Sequence, residues 1–119
     1  MPRNARREGY SRRHRFAARG SFAPVLRGAR KLRGRLAVIH VAPSPGPYPR
    51  LGIALTRRLV RSSVDRNRVK RLVREAYRRH PARQRRLDCV VMLRERFDAA
   101  QAAALAAEVR QLLDQLAAE

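Results

Sequence analysis

The chain has 119 residues, 45 % of them hydrophobic, which suits one domain with an apolar core. Its 29 Lys+Arg against 9 Asp+Glu leave a formal net charge of +20, and so much like charge in a small fold calls for a polyanionic partner, nucleic acid first and a membrane surface second. No apolar run approaches the ~20 residues of a bilayer span, the first twenty residues lack the apolar segment of a secretory signal, and the single cysteine, Cys89, admits no intramolecular disulfide, so a reducing, cytoplasmic home is expected.

Residues 1–20 are rich in arginine, poor in acid and without a regular apolar face. They read as a disordered basic arm ahead of one domain spanning 21–119. SFAPVLRG (21–28) predicts a short helix, with Ser21 as cap, Pro24 in the first turn and Gly28 at the end. Residues 30–35 allow a short edge strand, and LAVIHV (36–41) predicts a strand. APSPGPYP (42–49), with four prolines and a glycine, is a loop. RLGIALT (50–56) predicts a second main strand. The next apolar periodicity is helical and occupies 66–80. DCVVMLR (88–94), rich in β-branched residues, predicts a central strand. The last helix runs from 98 to 118, with Asp98 as cap, Gln101 at capping-box spacing, and a stripe of Leu105, Val109, Leu112, Leu113 and Leu116. This order predicts an α+β fold, an α-β sandwich: one small domain with a mixed sheet of three to four strands and three helices.

The charge is partitioned along the chain. Residues 1–35 hold twelve basic side chains and one acid, 36–56 hold only Arg50, 57–86 hold thirteen basics and two acids, and 87–119 hold three basics and six acids. Two basic blocks flanking a nearly uncharged segment predict a binding surface built from two parts of the chain. Only Lys31 and Lys70 are lysines; the arginines supply flat, multi-donor groups that fork onto phosphates and stack on bases.

At 100° per residue, Val69, Leu72, Val73, Ala76 and His80 fall on one arc of the helix, with Tyr77 at its edge. Arg66, Lys70, Arg74 and Arg78, at i, i+4, i+8 and i+12, form a row beside the arc, with Asn67 and Arg71 alongside. Like charges at this spacing repel, and Glu75 relieves only part of it, through Arg71 or Arg79. A solvated charged face normally mixes signs; a single-sign row in a chain of this charge predicts phosphate binding.

The stretch DRNRVKRLVREAYRR, preceded by RLGIALTRR and followed by DCVVML, resembles the protein subunit of bacterial ribonuclease P. The resemblance covers roughly residues 20–116. It implies a left-handed β-α-β crossover, contrary to the usual hand. It also implies a large catalytic RNA as partner, precursor transfer RNA as substrate, and Mg2+ required by the assembled ribonucleoprotein. In the family the motif helix faces the catalytic RNA, which carries over to Arg66, Asn67, Arg68, Lys70, Arg71, Arg74 and Glu75, and Arg78 of the basic row joins the expected RNA-binding set; the basic pair after the second main strand, more often lysines in relatives, is Arg57 and Arg58. The family's cleft between first helix and sheet holds the 5′ leader, and here it includes Phe22, Leu26, Val38 and His40. Relatives often carry aromatics at or near Leu26 and His40, so fewer stacking platforms are expected, each worth ~1–3 kcal/mol per base. Val60 stands where some relatives have glycine.

The residues themselves suggest no catalytic centre and no metal site. Glu8, Asp65, Glu75, Asp88, Glu95 and Asp98 show no metal-binding spacing on one predicted element. His14, His40 and His80 are dispersed and lack zinc-ligand spacing to one another or to Cys89. His80 reads as a helix-end residue and Cys89 as a small buried apolar one. The expected function is that of a ribonuclease P protein subunit whose chemistry belongs to its RNA. The alternative is another structured-RNA binder, such as a ribosomal protein, which explains the charge but not the motif in its α/β setting.

Overall fold

The computed structural model describes residues 23–28 and 30–119; the basic arm and Phe22 lie outside them. The elements are α1 (Ala23–Gly28), β1 (Arg30–Arg33), β2 (Ala37–Pro43), β3 (Arg50–Ala54), α2 (Ser63–Arg78), β4 (Leu87–Leu93) and α3 (Ala102–Ala117), with 3-10 turns at Pro81–Gln84 and Ala99–Gln101. The sheet order is β1-β2-β4-β3. β1 and β4 each pair antiparallel with β2, whereas β3 and β4 are parallel neighbours. Parallel neighbours need a crossover, and α2 supplies it. The segment from 44 to 49 carries the chain from β2 past the start of β4 to β3, pinned by Ser44 N–H donating to Arg86 C=O at 3.0 Å.

Alternation along the strands divides the sheet into two faces. Ala37, Ile39 and Val41 of β2, Cys89, Val91 and Leu93 of β4, and Leu51 of β3 enter the main core with Val69, Val73, Ala76 and Tyr77 of α2 and with Leu105, Val109, Leu112, Leu113 and Leu116 of α3. The whole expected α3 stripe is therefore buried. The opposite face carries Val38, His40 and Val90, and α1 packs across β2 and β4, bringing Val25 to 3 % exposure. Two helices on one face and one on the other form the expected sandwich.

Polar groups fix the ends of the strands. Arg50 pairs bidentately with Asp88, its cross-strand neighbour, at 3.0 and 2.6 Å, so the 2 %-exposed Asp88 carboxylate is compensated. At the β1–β2 turn, Glu108 on α3 accepts from the backbone N–H groups of Arg35, Leu36 and Ala37 at 3.0, 2.7 and 2.7 Å. Arg94 completes the turn by donating its backbone N–H to Leu36 C=O and its guanidinium to Gly34 C=O. A methyl group at Gly34 would strike the Glu108 carboxyl group.

Two consequences of this latch are measurable by denaturant unfolding. Glu108→Ala leaves three amides without their acceptor and should destabilise the fold by roughly 2–4 kcal/mol, since each unsatisfied buried donor costs about 1–3 kcal/mol and one of the three is exposed. Gly34→Ala should destabilise by a comparable amount, and in the Glu108→Ala background it should cost much less, because the group it strikes is gone. Additive losses would show that the glycine answers to something other than Glu108.

Candidate nucleic-acid interface

The motif helix begins three residues earlier than its apolar period suggests. Ser62, in extended conformation, accepts from Asp65 N–H at 3.0 Å and caps a helix that starts at Ser63. The Ser-x-x-Asp spacing carries that signal, and Asp65 in the first turn suits the helix dipole. The helix ends at Arg78. His80 then caps the following 3-10 turn: Nδ1 accepts from Ala82 N–H at 3.0 Å. Nε2 therefore carries the proton and donates to Asp114 Oδ1 at 2.6 Å.

On the inner arc, Val69, Val73 and Ala76 are buried and Leu72 is half-buried. Tyr77, expected at the edge, is 1 % exposed and belongs to the core. The outer surface carries Val64, Asn67, Arg68 and Arg71 exposed, with Lys70 and Arg74 half-exposed beside them.

The four-residue basic row divides by what its members touch. Arg78 pairs with Glu75 at 2.6 Å, and Arg79 joins at 3.3 Å. Arg71 is not a partner, because an acid on the N-terminal side of the base at i, i+4 is the favoured orientation. Arg78 first, then Arg79, hold the Glu75 carboxyl below its usual pKa. At the other end, Arg66 donates through one guanidinium nitrogen to Val60 C=O at 3.1 Å and Arg61 C=O at 2.9 Å. Among the described residues nothing pairs with Lys70 or Arg74.

The segment between β3 and α2 continues this surface. Thr56 C=O accepts from Leu59 and Val60 N–H, Leu59 C=O accepts from Phe97 N–H, and Val60 is buried in the core. Arg57, Arg58 and Arg61 stay exposed. Arg61, which the motif did not single out, thus stands with the expected pair; its only sequence signal is its place in the basic block. Val60, where some relatives have glycine, is a core residue here.

The second candidate surface lies on the α1 face of the sheet. The register sets His40 between Lys31 on β1 and Val90 on β4, and sets Val38 between Arg33 and Met92. Gly52 and Ala54 of β3 continue these two rows. Val38 and His40 thus share one face, α1 with its half-buried Leu26 packs against it, and Phe22 lies outside the described residues. His40 is 8 % exposed, and among the described residues its Nδ1 has no hydrogen-bond partner. Burial, then the charges of Lys31 and Arg33, push its pKa below 6.5, so the ring is neutral near pH 7. Lys31 and Arg33, both exposed, add cations at the rim of this face.

The remaining candidates for chemistry have structural occupations. Asp88 is held by Arg50. Burial first, and Asp88 second, push the Cys89 thiol up to about 12, which keeps it from thiolate chemistry. Among the described residues no three His, Cys, Asp or Glu side chains gather into a group able to hold a metal ion, and no helix is long and apolar enough to cross a membrane.

Comparison with known proteins gives this geometry a family. The sequence matches the family model described as Ribonuclease P over residues 10–117. It is 41 % identical over 86 residues to the ribonuclease P protein component of Methylococcus capsulatus, covering 72 % of this chain and 67 % of that one. Against the component from Chromohalobacter salexigens it is 37 % identical over 93 residues, covering 77 % and 73 %. Among solved structures, the RNase P protein of Thermotoga maritima superposes with a TM-score of 0.65 at 26 % identity, over 88 % of this chain and 96 % of that one. That of Staphylococcus aureus shares the fold with a TM-score of 0.66, over 87 % and 91 %. The chain belongs to the ribonuclease P protein family, the protein component that works with the ribonuclease P RNA in the transfer-RNA-processing ribonucleoprotein.

Proposed function

We propose that the two faces of this domain divide the work of the ribonucleoprotein. The surface of α2 and the preceding 57–61 segment docks on the catalytic RNA through Arg57, Arg58, Arg61, Asn67, Arg68, Lys70, Arg71 and Arg74. The α1 face of the sheet receives the single-stranded 5′ leader of precursor transfer RNA between Val38, His40 and the exposed cations Lys31 and Arg33. The observation that carries the reading is a cationic helix surface whose one acid beyond the capped first turn, Glu75, is already bound to Arg78 and Arg79, which leaves Arg68, Lys70, Arg71 and Arg74 uncompensated. Hydrolysis belongs to the RNA and to Mg2+ ions bound by it, and the assembly works in the cytoplasm. The protein lowers the electrostatic cost of bringing two polyanions together and adds leader contacts that product lacks.

The direct test is reconstitution. The purified chain, a bacterial ribonuclease P RNA and precursor transfer RNA at low Mg2+ should release the leader at one position. The chain with precursor and Mg2+ but without the RNA should release none; cleavage that persists through repurification would place chemistry in the protein.

Assembly and substrate binding then separate by mutation. Lys70→Ala with Arg74→Ala should weaken binding to the catalytic RNA. The slope of log affinity against log salt should fall by roughly 0.7–0.9 for each phosphate no longer neutralised, with little change in unfolding, because both side chains sit outside the buried arc. An unchanged slope would turn this face away from RNA.

Lys31→Ala with Arg33→Ala should act on the assembled enzyme instead. Its affinity for precursor should drop several-fold, and the salt slope should become shallower by roughly 0.7 for each single-strand phosphate released, while affinity for mature transfer RNA stays as in the parent. Equal losses on both would mean that these cations face the transfer RNA body or the catalytic RNA.

A further inference from the structure

Arg66 opens the basic row, yet its guanidinium is turned back onto its own chain. One terminal nitrogen donates to both Val60 C=O and Arg61 C=O, at 3.1 and 2.9 Å. Those carbonyls belong to the short segment between β3 and α2, whose other ties include the Thr56 and Phe97 backbone bonds, the buried Val60 side chain and the half-buried Leu59 against the core. The same segment exposes Arg57, Arg58 and Arg61. Three cations this close in sequence repel one another, and backbone with few ties opens easily. A guanidinium suits the clamp, because it stays charged and offers several donors at fixed angles to carbonyl oxygens.

We infer that Arg66 is a positioning residue for RNA binding: it locks the Val60–Arg61 backbone to the start of α2, so that Arg57, Arg58 and Arg61 are presented as one preformed surface with Arg68 and Lys70. The inference rests on the proposed RNA-facing role of this segment. It gives Arg66 a different part from its neighbours in the row. Lys70 and Arg74 meet phosphate directly, while Arg66 removes the ordering cost that its segment would otherwise incur on binding. Its effect on affinity is therefore conditional on the arginines it holds in place.

A mutant cycle tests this. The variants are Arg66→Ala, Arg66→Lys, the triple Arg57→Ala/Arg58→Ala/Arg61→Ala, and the triple combined with Arg66→Ala. Two quantities are measured, each below the unfolding transition of the variant: affinity for the catalytic RNA as a function of salt, and amide hydrogen exchange of the 57–61 backbone in the free protein. Arg66→Ala should speed exchange over 57–61 and weaken binding about tenfold in the parent, but less than twofold in the triple background. Arg66→Lys keeps the charge and most of the stem, but its nitrogen stops one atom short of the position that donates to the two carbonyls. It should therefore behave like Arg66→Ala, and it serves as the second probe if the alanine variant folds poorly.

A direct phosphate contact predicts otherwise: rescue by lysine, and an equal loss in both backgrounds with a fall in salt slope of roughly 0.7–0.9. Either result overturns the inference, as does parent-like affinity for Arg66→Ala. If the triple alone leaves RNA affinity unchanged while exchange still rises in Arg66→Ala, the RNA-facing reading of this segment fails and the positioning role goes with it, although the clamp remains.

Discussion

A net charge of +20 confined in 119 residues is the constraint to which the rest of this structure answers. Self-repulsion on that scale opposes compaction, and the chain has only nine acids to set against it. Five of those described serve geometry more than they neutralise the surface. Glu108 closes the β1–β2 turn, Asp88 holds Arg50 across the β3–β4 pair, Asp98 accepts from Ala100 N–H at the entry to α3, Asp114 receives His80, and Glu119 pairs with Arg30. Each ties parts of the chain together away from the outer face of α2, where Glu75 alone pairs with arginines. The fold is thus stabilised by its acids without losing the cationic outer face of α2.

The arginines divide along the same line. Arg83 donates to Arg78 C=O at the end of α2, Arg85 to Leu116 and Glu119 C=O at the end of α3, and Arg94 to Gly34 C=O. Arg66 does the same for Val60 and Arg61. These groups satisfy carbonyls that strand and helix ends leave over, and Arg83 and Arg85 place positive charge at helix C-termini, where the dipole favours it. A lysine has no planar fork with which to reach several such acceptors. The near-absence of lysine therefore has a structural use in addition to whatever RNA binding takes from it.

That division also marks how far the sequence could be read. Strands, helices and the α3 stripe were legible because apolar period reports local geometry: the leucines at 105, 112, 113 and 116 needed no knowledge of their partners, whereas the caps were misplaced, Asp98 capping the 3-10 turn and Ser62 opening α2. The basic helix was legible for the same reason, and its motif carried the family. What could not be read was the fate of individual charged side chains. Glu108 is one acid on an otherwise ordinary helix, and its amides lie 71 to 73 residues away. Arg50 and Asp88 are neighbours only because the crossover brings β3 beside β4. Arg66 has the same spacing to Lys70 as Lys70 has to Arg74, so periodicity gives all three one role, while the bend of the preceding segment gives Arg66 another. On the leader side, Val38 and His40 are named by the family resemblance, and strand alternation accounts only for their sharing one face. Lys31 and Arg33 required the register of an edge strand that composition only allowed.

The two proposed RNA surfaces meet through the sheet, and Asp88 shows how the second is kept usable. Alternation puts Asp88 on the same side of β4 as Val90 and Met92, the side that would face a leader strand. An unpaired carboxylate there would repel phosphate and also bear the cost of its own burial. Arg50 removes both problems with one bidentate contact, made in register across the parallel pair. Among the described residues of β3 and β4, the side away from α2 and α3 is then left without a free acid, with the neutral His40 ring one row along and Lys31 and Arg33 on the neighbouring edge. A leader strand on this face, as proposed, would meet apolar surface and cations and no free carboxylate, so its backbone would supply most of the binding and its bases could vary.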